Sequence, residues 1–169
     1  FNDLCGDIPT EVAALSESWA KNPSADPTTW SVAEGNYVGP TPCPAVSALV
    51  ALYNSTAGGG WTTRPNWMSG DPCSQTATWY AVECNTETDF GVVTGLTLYA
   101  NNLDGVIPTE VGGLTGMTNS FRLERDTLSS TIPTELGALS LMVNPLALDM
   151  NLLTGTIPTE LGELTGFTS

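Results

Sequence analysis

The sequence lacks histidine and contains few basic residues. Its 169 residues include no His, 4 Lys and Arg together, and 18 Asp and Glu, so the formal net charge is −14. Without histidine the chain lacks the commonest general base and the commonest metal ligand. Nucleic acids and anionic membranes are both bound through clustered Lys and Arg, so this charge balance argues against both partners.

Long apolar runs and catalytic motifs are also missing. No apolar stretch approaches the ~20 residues of a membrane-spanning helix. The three glycines at positions 58–60 are not followed by the lysine of a phosphate-binding loop. A hydrophobic share of 41% excludes disorder of the whole chain. We therefore expect a folded, non-enzymatic protein with no cofactor and no metal.

Four cysteines and one glycosylation sequon indicate an oxidising compartment. Cysteines stand at positions 5, 43, 73 and 84, without a CxxC pair or another zinc pattern. An even number is compatible with two disulfides, and four free buried thiols are the alternative. Asn54 opens the only Asn-x-Ser/Thr sequon and is the candidate N-glycan site, while threonines beside prolines are candidate O-glycan sites. We expect an extracellular or cell-surface protein.

A repeat of 25 residues decides the architecture. The tetrapeptide Ile-Pro-Thr-Glu occurs four times, and the last three copies start at Ile107, Ile132 and Ile157. The apolar positions before each copy recur at the same offsets: Leu96, Leu98 and Leu103, then Phe121, Leu123 and Leu128, then Leu146, Leu148 and Leu153. A period of 20–29 residues with leucine at fixed offsets is typical of a leucine-rich-repeat solenoid.

This pattern resembles the plant-type extracellular leucine-rich repeat, LxxLxLxxNxLxGxIPxxLGxL. The resemblance implies an α/β solenoid with a parallel sheet on its concave side, short 3₁₀ turns, and a second short strand near the Gly-x-Ile-Pro segment. Asn101 and Asn151 occupy the asparagine position and are expected to bond backbone groups of their turns. Asp126 occupies it in the second repeat without an amide donor. Ser130 occupies a glycine position that is expected to need unusual dihedral angles.

Residues 43–91 are similar to the N-terminal capping module of that family, which covers the apolar surface of the first repeat. A helix is predicted from Pro44 to Ala57. The resemblance implies a Cys73–Cys84 disulfide, although Ala81 replaces the usual glycine. Three tryptophans, at positions 61, 67 and 79, are expected in the core of this module, with stacking on sugars as the alternative. Cys5 and Cys43 would form a second bridge, or a bridge between chains.

The predicted organisation has four segments. Residues 1–15 match a half repeat, residues 16–42 form an irregular linker containing Pro, Ser and Thr, residues 43–91 form the capping module, and residues 92–169 form the repeats. The half repeat matches from the asparagine position onward. Residues from Leu161 begin another repeat that stops before its strand, so the two ends are complementary. The candidate assembly residues are Leu4, Ile8, Leu161, Leu164 and Phe167.

Two further surfaces are predicted from the repeat. The concave face should present Tyr99, Arg122, Glu124, Arg125, Asp149 and Met150, and Tyr and Arg are enriched at binding hot spots. Alternatively, the two arginines neutralise neighbouring acids, an arrangement of small energetic value on a surface. A column of glutamates (Glu110, Glu135 and Glu160) would form a solvated ridge or a Ca²⁺ site between rungs.

The most direct function from these patterns is protein–protein contact. We expect a structural component of a fibre or surface array that assembles head to tail with copies of itself. The alternative is a ligand-recognition ectodomain fragment of a leucine-rich-repeat receptor or secreted defence protein. An ice- or glycan-binding face is a third reading, which would require the column of Thr109, Thr134 and Thr159 to lie on a flat side.

Overall fold

A computed structural model describes residues 31–33, 36–38, 44–85 and 91–166. Strands β1 (Ser31–Ala33) and β2 (Asn36–Val38) pair antiparallel. The segment predicted to be an irregular linker therefore contains a short sheet, consistent with the strand preference of valine and tyrosine in it. The other calls at Cys5, Cys43, Leu4, Ile8 and Phe167 lie outside the described residues.

Helix α1 (Pro44–Ser55) begins at the predicted proline and ends two residues before the predicted boundary. It buries Ala48, Leu49 and Leu52. Ala57 adopts a left-handed conformation with φ 53° and starts a 3₁₀ turn at Gly58–Gly60. The helix lies against the first repeat, because a Cβ added to Gly113 would be 2.9 Å from the Pro44 carbonyl oxygen.

A four-stranded sheet runs through the described repeats in the order β3 (Val82–Asn85), β4 (Val92–Thr97), β6 (Phe121–Arg122) and β8 (Leu146–Ala147). The last three strands are parallel, with Leu96 opposite Phe121 and Phe121 opposite Leu146. This confirms the predicted parallel sheet and its register of one repeat per strand. Strand β3 adds to β4 antiparallel, a pairing that the repeat pattern did not predict.

The other two predicted features are a second short strand, found in the first two described repeats, and 3₁₀ helices, found in all three. Strands β5 (Asp104–Val106) and β7 (Thr127–Ser129) form a parallel pair. A 3₁₀ helix follows each of the last three Ile-Pro dipeptides, at Thr109–Gly113, Thr134–Ala138 and Thr159–Glu163. Each repeat therefore makes one turn of a solenoid, with the proline at the start of its 3₁₀ helix.

The core is a stack of equivalent side chains from successive repeats. Leu98 and Leu123 are at most 1% exposed, as are Leu103 and Leu128 in the neighbouring column. Exposure rises toward the last described repeat: Ile107 is 5% exposed, Ile132 is half-buried, and Ile157 is 76% exposed. The last rung thus presents core positions that the earlier rungs bury.

Asparagine side chains join successive rungs. Asn101 accepts a hydrogen bond from the Thr63 amide at 2.7 Å and donates one to the Thr63 carbonyl at 2.9 Å. Asn151 donates to the carbonyl of Leu123 at 2.7 Å and to that of Leu148 at 3.0 Å. The ladder therefore connects residues 44–85, here called the N-terminal segment, with the repeats.

The N-terminal segment has an aromatic core closed by a disulfide. Trp61, Trp67 and Trp79 are 4%, 6% and 2% exposed, and each indole N–H donates to a backbone carbonyl. The ring centroids of Trp61 and Trp67 are 4.7 Å apart in an edge-to-face arrangement. The structure contains a Cys73–Cys84 bridge with a Cα–Cα separation of 5.7 Å. Little indole surface is therefore left to stack on a sugar.

Candidate concave binding surface

An open concavity of about 710 Å³ lies across the parallel sheet. Its lining is mostly polar and includes both concave-face arginines and two of the predicted acids. The lining residues are Glu83, Asn119, Ser120, Arg122, Glu124, Arg125, Asn144, Pro145, Ala147 and Asp149. The concavity thus offers hydrogen-bond donors and acceptors along the sheet.

Arg122 organises the centre of this surface. Its guanidinium lies 5.2 Å from the centroid of the Tyr99 ring, within the range of a cation–π contact. The same guanidinium forms an ion pair with Glu124, whose side chain is 6% exposed, whereas that of Arg122 is 42% exposed. Tyr99 is 51% exposed. Arginine and tyrosine are therefore held in one cluster before any partner arrives.

Glu124 is the one predicted contact residue that the structure buries. It was expected to be presented on the concave face, but the residue is 4% exposed. Its position on the sheet places it beside Arg122, with which it pairs on the same rung rather than on a neighbouring rung. The predicted neutralisation of acid by arginine thus occurs within a repeat, and Glu124 supports Arg122 instead of facing a partner.

The other predicted contacts are distributed around the cluster. Arg125 and Asp149 are exposed and line the concavity. Among the described residues, Arg125 forms no ion pair. Met150 is 63% exposed but is not part of the lining. Arg125 also borders a smaller cleft of about 300 Å³ with Asp126 and Thr62.

Two carboxylate oxygens near the cluster are buried without a hydrogen-bond partner. They are Oε2 of Glu124 and Oδ2 of Asp126, the only such side-chain atoms in the described part of the chain. Burial raises the pKa of the Asp126 carboxyl above its ordinary value of 3.8, and the negative charge of Glu124 raises it further. Hydrogen bonds from backbone amides, including those of Leu103 and Asn101, oppose this shift.

One edge of the concavity was not predicted from the sequence. Asn119 and Asn144 occupy the same position in successive repeats, as do Ser120 and Pro145. Asn119 donates to Glu83 at 2.8 Å and so ties the repeats to β3. The 25-residue period relates these residues to one another, but they precede the first apolar position of each strand, so the apolar pattern does not mark them.

The remaining candidate sites are exposed side chains. Asn54 lies exposed near the end of α1, and Glu110, Glu135 and Glu160 are all exposed. Each of these glutamates accepts a hydrogen bond from the preceding threonine at 3.2–3.3 Å, so the threonine column is paired with acids. Within the described ranges, no group of three or more Cys, Asp or Glu side chains is arranged to hold a metal ion.

The candidate assembly residues differ in accessibility. Leu161 is half-buried at the last described repeat, whereas Leu164 is 6% exposed and belongs to the core. Ile157 was not among the candidates, yet it is the most exposed large hydrophobic residue of the described chain. None of the helices in the part of the chain that the structure describes has the length and apolar character needed to cross a bilayer.

Comparisons with known proteins gave matches only among solved structures. No protein-family model matches the chain, and no curated protein matches it. The leucine-rich-repeat ectodomain of the receptor kinase SOBIR1 from Arabidopsis thaliana is 20% identical over 72% of this chain and 74% of that chain, with a TM-score of 0.42. PEPR1 in the PEPR1–AtPEP1 structure is 18% identical over 72% of this chain, with a TM-score of 0.47.

A third solved structure, a plant ice-binding protein, is 23% identical over 72% of this chain, with a TM-score of 0.46. The matches span 20% of the PEPR1 chain and 45% of the ice-binding chain. Because identities and TM-scores are low, the fold assignment depends on the geometry of the chain itself. Parallel strands in register, the side-chain ladder and the 3₁₀ helices together make the described repeats a leucine-rich-repeat-type solenoid.

Proposed function

We propose that this chain is a non-enzymatic, extracellular module for protein–protein contact, and that its main contact is head-to-tail stacking with copies of itself in a fibre or surface array. The observation that carries the proposal is the exposure of core positions on the last described repeat. Ile157 is 76% exposed, whereas its equivalent Ile107 is 5% exposed. Exposed apolar surface of this kind is typical of interaction sites.

Apolar exposure is concentrated at this end of the described solenoid. Ten large hydrophobic residues are exposed in the described part of the chain. Five of them lie in its last 26 positions: Leu141, Val143, Met150, Leu152 and Ile157.

The parallel sheet adds a second reason for stacking at this end. Among the described strands, β8 is paired on one side only, with β6. An edge strand with free backbone groups is a template for pairing with another chain. A head-to-tail contact that does not close into a ring produces an open filament.

A segment near the beginning of the given sequence has the same apolar pattern and is a suitable occupant. Asn2, Leu4, Gly6, Ile8 and Pro9 match the repeat from its asparagine position onward. These residues lie outside the described part of the chain, so the match is one of sequence. We infer that this segment of a second copy covers the exposed positions around Ile157 and Leu161.

The proposal also includes an extracellular or cell-surface location and the absence of enzymatic activity. The Cys73–Cys84 bridge and the exposed sequon residue Asn54 support an extracellular or cell-surface protein carrying a glycan. The absence of histidine and the open form of the concavity support the non-enzymatic part of the proposal. The charge of −14 argues against nucleic acid as a partner, and the partners that we propose are proteins.

The test is to replace Ile157 with aspartate and examine assembly by size-exclusion chromatography with light scattering and by negative-stain electron microscopy. The wild type is expected to form filaments with a regular axial repeat, and Ile157→Asp is expected to remain monomeric. Thr156→Asp is the matched control, because Thr156 is its exposed polar neighbour. A monomeric wild type, or filaments unchanged by Ile157→Asp, would overturn the proposal.

The concave cluster favours a second candidate function, recognition of a protein ligand by an ectodomain of a receptor or secreted defence protein. Tyr99 and Arg122 are preorganised there by their mutual contact and by Glu124. A displayed library of extracellular proteins is the probe. Binders whose affinity falls with Tyr99→Ala but not with Tyr80→Ala, a tyrosine 41% exposed in the N-terminal segment, would support this candidate.

A further inference from the structure

The asparagine ladder has a different residue in its middle rung. Asp126 stands 25 residues after Asn101 and 25 before Asn151. Its Oδ1 does what an asparagine oxygen does, accepting from the amides of Asn101 at 3.0 Å and Leu103 at 2.9 Å. Its Oδ2 occupies the place of the amide nitrogen.

Asn151 on the next rung shows that the position of Asp126 Oδ2 calls for a hydrogen-bond donor. Asn151 donates from Nδ2 to the carbonyls of Leu123 and Leu148. The equivalent carbonyls one repeat earlier belong to Leu98 and Leu123. An ionised carboxylate can only accept hydrogen bonds, so it cannot serve those carbonyls. In agreement, Oδ2 of Asp126 is buried without a partner.

We propose that Asp126 is a proton-operated latch of the second repeat, closed when Oδ2 carries a proton and donates it to the backbone of the ladder. One proton supplies the missing donor and removes one of two neighbouring buried negative charges, since Oε2 of Glu124 is the other orphaned oxygen. The latch goes beyond the proposed contact function and does not depend on it.

The surrounding charges favour the protonated form. Glu124 on the same rung raises the pKa of Asp126, adding to the larger effect of burial. Arg122 is engaged by Glu124, and Arg125 is exposed beside the cleft that borders Asp126. The acids on the neighbouring rungs, Asp104 and Asp149, are both exposed. None of these neighbours provides Oδ2 with a hydrogen bond in the described structure.

The sign of the pH effect follows from the raised pKa. A carboxyl that binds its proton more tightly in the folded state adds stability that is complete below its unfolded pKa. That stability is lost as pH rises through the folded pKa. Acidification from neutrality toward the ordinary aspartate value of 3.8 should therefore tighten the second repeat.

The experiment compares the wild type with Asp126→Asn by thermal unfolding between pH 7 and pH 4. Asparagine carries the donor permanently, so the variant should melt several degrees higher at pH 7, and the difference should shrink toward pH 4. Asp104→Asn is the control for the general relief of negative charge, because Asp104 is exposed. Its difference from the wild type should show no comparable dependence on pH.

A direct titration separates the latch from other acids. The carboxyl carbon of Asp126, followed by NMR in the folded chain, should titrate above its ordinary pKa of 3.8, and Glu124→Gln should shift that midpoint downward. Titration at or below the ordinary value would overturn the latch. So would an Asp126→Asn variant that is less stable than the wild type at pH 7.

Discussion

At the scale of single residues, the turns of the solenoid depend on left-handed backbone conformations. Ala100, Arg125 and Met150 occupy the same position in successive repeats and have φ of 51°, 65° and 54°. Each lies directly before the ladder residue of its own repeat, at position 101, 126 or 151. Non-glycine residues pay a steric cost in this region, so the turn is maintained by the hydrogen bonds around it.

Ser130 is the residue at which this cost can be tested. It has φ 72° at the position that glycine occupies in the other repeats. Ser130→Gly is expected to increase the free energy of unfolding by about 1 kcal/mol, because glycine adopts this conformation without a Cβ clash. Urea denaturation measures the change.

Ser129→Gly is the matched control for that prediction. Ser129 lies in β7 and its hydroxyl donates to the Gly105 carbonyl at 3.1 Å, so its loss should destabilise the chain. A Ser130→Gly variant that is equally destabilised would show that the hydroxyl of Ser130 matters more than its backbone conformation.

At the scale of elements, the end of α1 and strand β5 meet through a glycine. Gly105 has φ 136°, and a Cβ there would clash with the carbonyl oxygen of Ser55. The Asp104 amide donates to the Thr56 carbonyl at 3.1 Å beside this contact. The helix and the first repeat are therefore in backbone contact, which only glycine allows.

Gly105→Ala is expected to lower the free energy of unfolding by about 3 kcal/mol, through the clash and the unfavourable dihedral angle together. Gly162→Ala is the control, because a Cβ at Gly162 would meet no atom within 4 Å. Chemical denaturation of both variants measures the difference. Equal stability of the two variants would contradict the proposed backbone contact.

At the scale of the whole molecule, charge opposes the proposed assembly. Copies that each carry a net charge of −14 repel one another, and salt screens this repulsion over a Debye length of about 30 Å at 0.01 M and about 8 Å at 0.15 M. The proposed contact itself is apolar and should not weaken with salt.

The average mass of the wild type in analytical ultracentrifugation is therefore expected to rise when NaCl is raised from about 0.01 M to about 0.15 M. Ile157→Asp should remain monomeric at both concentrations, and KCl should act like NaCl. A mass that falls with salt would indicate that ion pairs, rather than apolar stacking, join the copies.

The sequence by itself predicted the solenoid and its register, because apolar side chains that recur every 25 residues form continuous core columns when successive repeats stack in parallel. It also predicted that Asp126 would lack a donor, which the orphaned Oδ2 bears out. The start of α1 at Pro44 followed from the same local rules.

Only the tertiary structure decided which polar groups are buried. Glu124 was expected on the surface, but it is buried and pairs with Arg122, which also contacts Tyr99 of the preceding rung. The edge of the concavity at Asn119 and Asn144 likewise depends on how rungs align. These contacts join residues far apart in the chain, so their distances and burial arise from stacking and not from any local pattern.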